Sequence, residues 1–373
     1  MTFNAFFNRI ENQYQAELPF VIYRKPNENN IFGLLQNTND LFFTEDFTEK
    51  GFVFSPFDNT EKSVLMPLEF SKSFKTVQEI SNKIETSKKW AGINYDSEKN
   101  IHINLVKSGI DALENNQFKK VVLSRSETVS LSNKNPFSIF KNLLENYASA
   151  FVYCWYHPKI GLWLGATPET LVKIEGQRFS IMALAGTQNY NGSLNVKWQK
   201  KELQEQQYVT DFILDNIKST IDNIKTSPVE TVKAGNLLHL KTKIWGVLKR
   251  NTISLKDLLY SLHPTPAVCG VPKIEAKQFI LKHEKYNREF YTGFLGELNL
   301  EVTSAPRSGK RNIENRAYAI TKNSTQLYVN LRCMQLKENN AIIYVGGGIT
   351  ESSNPESEWE ETVAKSLVIK KVL

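Results

Sequence analysis

Near its C-terminal end the chain gathers side chains suited to holding a hard cation and an anion. Glu358, Glu361 and Lys365 follow the apolar run Ala341–Val345 and the glycines Gly346, Gly347 and Gly348. Spaced i, i+3 and i+7, the three charged groups fall on one face of a helix. Two carboxylates so placed repel by roughly 0.2–0.5 kcal/mol on an exposed helix, a cost that a divalent cation or a nearby lysine removes. Glu202 and Glu205 repeat the i, i+3 pattern within KKELQEQQYVTDFI. Four carboxylates converging from two helices suit an oxygen-preferring ion such as Mg2+, whereas either pair alone is more often a solvated helix face.

Lys120 opens the apolar strand KVVLSR, on the same face as Val122 and Ser124. A lysine there ordinarily snorkels at a sheet edge. Held away from water, it binds its proton less tightly and becomes a general base. Glu169, in the turn of GATPET, is the complementary case, because a carboxyl among apolar walls keeps its proton and can donate it. The two matter only if they face one cavity.

His263, in LHPTPAVCG, is held extended by the proline that follows it. It reads either as a ligand to a substrate oxygen or as a hydrogen-bonded histidine at a helix-ending turn. Arg332, on the strand YVNLRC, alternates with apolar neighbours and is expected to be a buried cation whose usual partner is a carboxylate. The glycine triplet has neither the spacing of GxGxxG nor a following GK[ST], so it is no nucleotide loop. Backbone N–H groups at a glycine turn can instead hold a carboxylate.

The elements that must position these groups follow from periodicity. Phe3, Phe6, Phe7 and Ile10 mark an amphipathic helix packed on the core, and strand-like runs at Phe20–Tyr23 and Gly51–Ser55 sit among Asn-rich turns. The spacing predicts helices over Ile101–Asn116, Pro136–Tyr147, Val196–Ile224, Leu255–Leu262 and Ile274–His283. Strands are expected over Lys120–Leu131, His239–Leu248 and Tyr291–Leu300, with a final hairpin of Gln326–Leu336 and Ala341–Val345. Runs at Phe151–Trp155, Gly161–Leu164, Thr170–Ile174 and Phe179–Ala183 read as an antiparallel meander. Strands and helices do not alternate strictly. The expected class is therefore α+β, with mostly antiparallel sheets and helices packed outside them.

Bulk composition narrows the function classes. The chain has 373 residues, 41% hydrophobic and 23% charged, as in ordinary globular proteins. Its size leaves one large domain or two intimate halves open. The formal charge of +7 admits a nucleic-acid partner, a membrane surface or an acidic substrate. Basic residues are scattered, and the densest clusters, Lys197–Lys201 and Arg307–Arg311, lack the interleaved aromatics of a single-strand binding platform. Cys154, Cys269 and Cys333 are far apart, which suggests neither a disulfide framework nor a zinc site and fits a reducing cytoplasm. No apolar run approaches the ~20 residues that span a bilayer, and MTFNAFFNRI lacks the layout of a signal peptide.

In order along the chain, KVVLSR, LWLGATPETLV, ALAGT, KELQEQQYVTDFI, HLKT, LHPTPAVCGVP, REFYTGFLG, LRC and GGGIT followed by EWEETVAK resemble the chorismate-utilising enzymes. That family includes isochorismate, salicylate, anthranilate and aminodeoxychorismate synthases. The resemblance runs from about residue 100 to the C-terminus and implies one chorismate-utilising domain over residues 1–373, whose first 95 residues are less specific. It also implies roles. Lys120 stands where water-adding members carry their lysine base, and Glu169 where an acid protonates the departing C4 hydroxyl as water enters at C2. Ala185, in ALAGT, occupies the place of the lysine nucleophile of aminodeoxychorismate synthases, which counts against that member and against a glutamine-hydrolysing partner.

By the same resemblance, Glu205 and Glu358 ligate Mg2+, with Glu202 and Glu361 acting directly or through water. Tyr291, Arg332, Gly346, Gly347, Gly348 and Lys365 match positions that bind the substrate's carboxylates, and Thr187 and His263 match other pocket positions. Chorismate is a dianion, so the basic charge needs no nucleic acid to explain it. The expectation is a cytoplasmic, Mg2+-dependent isomerase, an isochorismate synthase serving menaquinone or siderophore formation, as monomer or homodimer. A salicylate synthase, and from another class a basic nucleic-acid-binding protein, are the alternatives. Two departures stand out: Gln206 replaces the histidine that usually follows Glu205, and Glu301–Thr325 is a polar, basic insertion between two strands.

Overall fold

The structure, a computed structural model, describes residues 1–79, 96–131, 135–234, 237–249, 254–304 and 320–373. Helix α1 (Phe3–Gln15) precedes strands β1 (Phe20–Arg24), β2 (Asn30–Gln36), β3 (Phe42–Thr44), β4 (Gly51–Ser55), β5 (Ser63–Pro67) and β6 (Ser71–Val77). Next come α2 (Asp96–Glu114), β7 (Lys120–Ser130), α3 (Pro136–Asn146), β8 (Phe151–His157), β9 (Gly161–Thr167), β10 (Thr170–Glu175) and β11 (Arg178–Asn189). Then follow α4 (Lys200–Ile217), β12 (Ile221–Thr226), β13 (Glu230–Ala234), β14 (Leu237–Leu248), α5 (Leu255–Leu262), β15 (Gly270–Val271) and α6 (Lys273–His283). The chain closes with β16 (Phe294–Ser304), β17 (Ile320–Val329), β18 (Cys333–Lys337), β19 (Asn340–Ile349) and α7 (Pro355–Lys370).

Two antiparallel sheets stack face to face. The first runs β15-β7-β19-β18-β9-β8-β1-β2-β6, and the second β12-β14-β11-β10-β17-β16-β4-β5-β3, with β13 paired to β14. Strands such as β8 are buried at every position but Tyr156 because both faces are covered. Phe151, Tyr153 and Trp155 point into the aromatic layer between the sheets, while Val152 and Cys154 point out under α1, α3 and α7. Ring pairs bind the sheets across that layer, for example Phe151 on Tyr328 with centroids 4.1 Å apart. Helices α4 and α5 cover the outside of the second sheet through Val209, Ile213, Leu258 and Leu259. The remaining pair, α2 and α6, packs on Val121 and Leu123 of β7. The α+β class, with large antiparallel sheets and helices outside them, is what the structure shows.

Three expected elements divide differently. The stretch Val196–Ile224 is not one helix: α4 ends at Ile217, and β12 begins at Ile221. Apolar spacing persists through the break (Val209, Ile213, Ile217, Ile221), so periodicity alone carries the helix too far. The expected meander changes sheets, since β8 and β9 belong to the first sheet and β10 and β11 to the second. Gln326–Leu336 is likewise two strands, β17 in the second sheet and β18 in the first. Of the Glu301–Thr325 insertion, the two ends extend the β16–β17 hairpin, and residues 305–319 lie outside the described residues.

Candidate active site

The two sheet changes lie side by side and open a cavity. Cys333 pairs with Gly165 in the first sheet, and Tyr328 with Thr170 in the second. The chain therefore crosses twice in the same place, once through Pro168–Glu169 and once through Asn330–Arg332. The crossings hold each other: Val329 N–H donates to the Glu169 carbonyl at 3.0 Å, and Ala166 N–H to the Arg332 carbonyl at 3.1 Å. Strand β18 pairs with β19 only from Met334, opposite Ile343. Beyond Ile343 the β19 edge that faces away from β7 borders the cavity instead. The empty space, counted with the open solvent at its mouth, is about 840 Å³.

Lys120 and Glu169 both line this cavity. They are almost fully buried, at 1% and 3% exposure. Burial pushes the Lys120 amine down from its ordinary value, and Lys201 and Lys365 reinforce this against Glu205 and Glu169. Burial pushes the Glu169 carboxyl up to about 8, with Lys120 opposing. Desolvation thus favours the neutral form of each, which leaves an amine able to take a proton and an acid able to give one.

Arg332 adopts a positive φ of 49° at the second crossing rather than lying on a strand as expected. Its Nη2 lies 2.8 Å from Nε2 of His239, whose Nδ1 lies 2.9 Å from the Gly186 carbonyl. With the carbonyl accepting, Nδ1 carries the proton and Nε2 receives the Arg332 N–H. Burial and the Arg332 charge hold the His239 ring down to about 3, so it stays neutral. Burial lowers the guanidinium itself to about 10, and no carboxylate pairs with it among the described residues. An anion in the cavity would complete its partners. Tyr291 and Thr187 line the cavity as well, and the Tyr291 ring stacks on Tyr344 at 5.4 Å.

The glycine triplet is strand, not turn. Gly346, Gly347 and Gly348 pair with Ser124, Leu123 and Val122 of β7. Glycine is needed for room. A Cβ at Gly348 would sit 2.8 Å from Glu205 Oε1 and 3.0 Å from Lys120 Cε, and one at Gly346 would sit 3.1 Å from the Tyr291 hydroxyl. Lys365, reaching in from α7, donates to the Gly346 carbonyl at 2.8 Å and to Glu361 at 2.7 Å.

The acidic groups converge at one end. Glu205 and Glu361 line the cavity, and Glu358 Oε2 lies 3.3 Å from where a Gly347 Cβ would stand. Glu358 is 2% exposed, and its Oε2 has no well-aligned hydrogen bond among the described residues, with the Ser353 side chain its weak partner. Burial raises its pKa against an ion pair that Oε1 makes with Lys201. A poorly satisfied buried carboxylate oxygen beside Glu205 and Glu361 fits Mg2+. This ion keeps several waters and takes only one or two protein carboxylates plus substrate oxygens. Among the described residues, no three or more His, Cys, Asp or Glu side chains are grouped so as to hold a metal ion by themselves. Glu202 is placed differently from expectation. Its carboxylate turns back to accept the Gln199 N–H at 3.0 Å, capping α4 outside the cavity lining. Gln206 holds the same helix down, donating to the Ala183 carbonyl at 3.2 Å and to Thr242 Oγ1 at 3.0 Å.

His263 does not reach the cavity, contrary to the expected substrate contact. It is extended and 1% exposed, with its ring edge-on to Phe294 at 5.0 Å and neither nitrogen in a well-aligned hydrogen bond among the described residues. Sequence reasoning instead missed His239 and Tyr344. The HLKT motif was the available signal for the former, but alternation groups His239 with Lys241 and Lys243 on what reads as a solvent face.

A sequence model described as chorismate binding enzyme matches residues 53–309, and another so described matches residues 317–371. The isochorismate synthase MenF of Pasteurella multocida is 31% identical over 217 residues, covering 55% of this chain and 45% of that protein. The isochorismate synthase DhbC of Bacillus subtilis is 25% identical over 281 residues, covering 70% and 65%. The chain spans about half the length of the curated relatives it matches. Among solved structures, the menaquinone-specific isochorismate synthase MenF from Escherichia coli superposes with a TM-score of 0.73 at 20% identity, covering 95% of this chain and 88% of the other. That likeness concerns the fold.

Proposed function

The chain belongs to the chorismate-binding enzyme family, and on that premise we propose that it is an isochorismate synthase, an isomerase that moves a hydroxyl of chorismate from C4 to C2. The observation that carries this reading is Lys120 and Glu169 facing one cavity, with burial favouring the neutral form of each. Lys120 takes a proton from water as the water oxygen bonds to C2. The ring double bonds shift toward C4, the C4–O bond breaks, and Glu169 gives its proton to the departing oxygen, which leaves as water. One water enters and one departs, so no redox partner or nitrogen donor is needed, and no amidotransferase subunit is expected.

The remaining residues bind and orient. Arg332, held by neutral His239, and Lys365 supply positive charge for the carboxylates of the dianionic substrate, and Tyr291 and Thr187 offer hydroxyls. Glu205 and Glu358 would hold Mg2+, with Glu361 acting through water, and the ion supplies a further positive charge for a carboxylate when bound. Glu202 supports that end by capping α4. Ala185 lines the cavity with a methyl group, which leaves water as the nucleophile. The pathway served is menaquinone or siderophore formation, since one similar enzyme is named menaquinone-specific and another vibriobactin-specific.

The test is incubation of the purified protein with chorismate and Mg2+, with chromatographic resolution of isochorismate, salicylate and pyruvate. Isochorismate as the main product is expected. Abundant salicylate and pyruvate without an added lyase would replace the proposal with a salicylate synthase.

A further inference from the structure

Behind the cavity wall lies an ion pair that the reaction itself does not use. Glu284 and Arg288 are each 2% exposed in their side chains. Two contacts join them, from Nη2 to Oε1 at 2.6 Å and from Nε to Oε2 at 2.7 Å. Their other side-chain hydrogen bonds reach three segments around the cavity. Glu284 Oε1 accepts the backbone N–H and the hydroxyl of Ser124, both at 2.8 Å, on the strand that begins with Lys120. Arg288 donates to the Val122 carbonyl at 2.7 Å on the same strand, to the Val268 carbonyl at 3.0 Å and to Thr292 Oγ1 at 3.2 Å. Val122, Val268 and Thr292 all line the cavity. Thr292 N–H then donates to the Asn330 carbonyl at 2.9 Å, two residues before Arg332.

We propose that Glu284 and Arg288 are positioning residues, a neutral buried clamp that fixes the strand carrying Lys120 against the segments carrying Tyr291 and Arg332. The proposal rests on the isochorismate synthase reading for the name of the reaction, but the geometry it claims does not. Three separate backbone segments meet at one guanidinium, and only its rigid fork of donors reaches all three. A hydrophobic pair of similar volume would fill the space without fixing the register. A displacement near 1 Å at a reacting group costs about 10²-fold in rate, so the clamp is expected to act on turnover more than on substrate affinity.

The test uses Arg288→Lys, which keeps the charge opposite Glu284 and loses the fork, and Glu284→Gln/Arg288→Met, which removes both charges and keeps an acceptor for Ser124. In each, kcat for chorismate is expected to fall about 10- to 100-fold with KM within threefold and one chorismate bound per chain by calorimetry. The stoichiometry shows that a folded protein, not a lost fraction, is responsible. In parallel, the labelling rate of Lys120 by dinitrofluorobenzene at fixed pH, read on its peptide by mass spectrometry, is expected to rise several-fold in both variants. That arm needs no turnover, so an inactive wild-type protein whose Lys120 labelling still responds would remove the proposed function and leave the clamp standing. Folded variants with wild-type kcat, or with unchanged Lys120 labelling, would overturn the clamp.

Discussion

Lys120 and Lys370 are equally hidden, each 1% exposed, yet their surroundings are opposite. Lys370, on the last turn of α7, makes an ion pair with Glu127, whose other oxygen lies 3.2 Å from Arg125 Nη1. Lys120 makes no ion pair among the described residues and faces a cavity. The glutamates divide the same way. Glu284 is saturated by Arg288 and Ser124, whereas the Glu169 carboxyl has no hydrogen-bond donor among the described residues and burial pushes it up to about 8. Buried charge that serves the fold is compensated within the protein. Where the compensation is missing and a cavity takes its place, a substrate is the natural partner.

The sharpest way to break this contrast is to truncate both lysines. Lys370→Met leaves a buried carboxylate short of a cation and is expected to cost about 3 kcal/mol of stability, read as a lower midpoint in urea. Lys120→Met removes an amine already without a partner and is expected to leave stability unchanged or raised. Turnover of chorismate should behave inversely, with Lys120→Met or Lys120→Ala losing about 10²–10⁴-fold while chorismate still binds. Lys120→Ala retaining full turnover would remove the amine from the mechanism.

Glu169 sharpens the comparison through pH. Folded, its carboxyl keeps the proton up to about 8, while the unfolded chain releases it near 4.5. Across that window the folded state binds more protons, so this residue's contribution to stability is present below the lower value. It is lost as pH rises, at up to about 1.4 kcal/mol per unit. Glu169→Gln should flatten that slope and lower kcat by about 10²-fold or more. In the wild type, kcat/KM should decline above about pH 8 as the acid ionises, and a stability profile identical in wild type and Glu169→Gln would contradict the assignment.

The same contrast marks what was legible in the sequence. Compensated structure was readable: α5 spans the predicted Leu255–Leu262, and the Phe6, Phe7 and Ile10 stripe packs as expected. Alternation within a strand says which face a residue takes but not which sheet the strand joins. Both crossings therefore escaped notice, although they create the cavity. Arg332 was sought on a strand and lies at the point where the chain leaves one. The motifs nonetheless named eleven residues that line one cavity, because residue types chosen for chemistry persist where periodicity is silent.

At the acidic end the contrast predicts two smaller effects of different kinds. Glu358→Gln alters the poorly partnered oxygen and should raise the Mg2+ concentration for half-maximal activity by at least about tenfold. Glu202→Gln alters a helix cap and should cost about 1 kcal/mol of stability, with a lesser change in Mg2+ dependence. Equal metal dependence in the two variants would mean that capping and ligation are not separated as the geometry implies.

His263 gives the least effect and the cleanest control. It was expected in the substrate pocket by motif position, yet its ring is packed against Phe294, outside the cavity lining. Burial, aided by Lys273 and Lys277, lowers its pKa to about 3, so it remains uncharged at any working pH. Both ring nitrogens are buried without a well-aligned hydrogen bond among the described residues, and the Pro56 backbone is their weak partner; a poorly met buried polar group destabilises by up to about 1–3 kcal/mol. Replacing the ring by an apolar side chain should relieve that penalty, offset by imperfect packing. His263→Leu should therefore fold with stability equal to or above that of the wild type and keep kcat/KM for chorismate within about twofold. A tenfold loss in kcat/KM with folding intact would return His263 to the site.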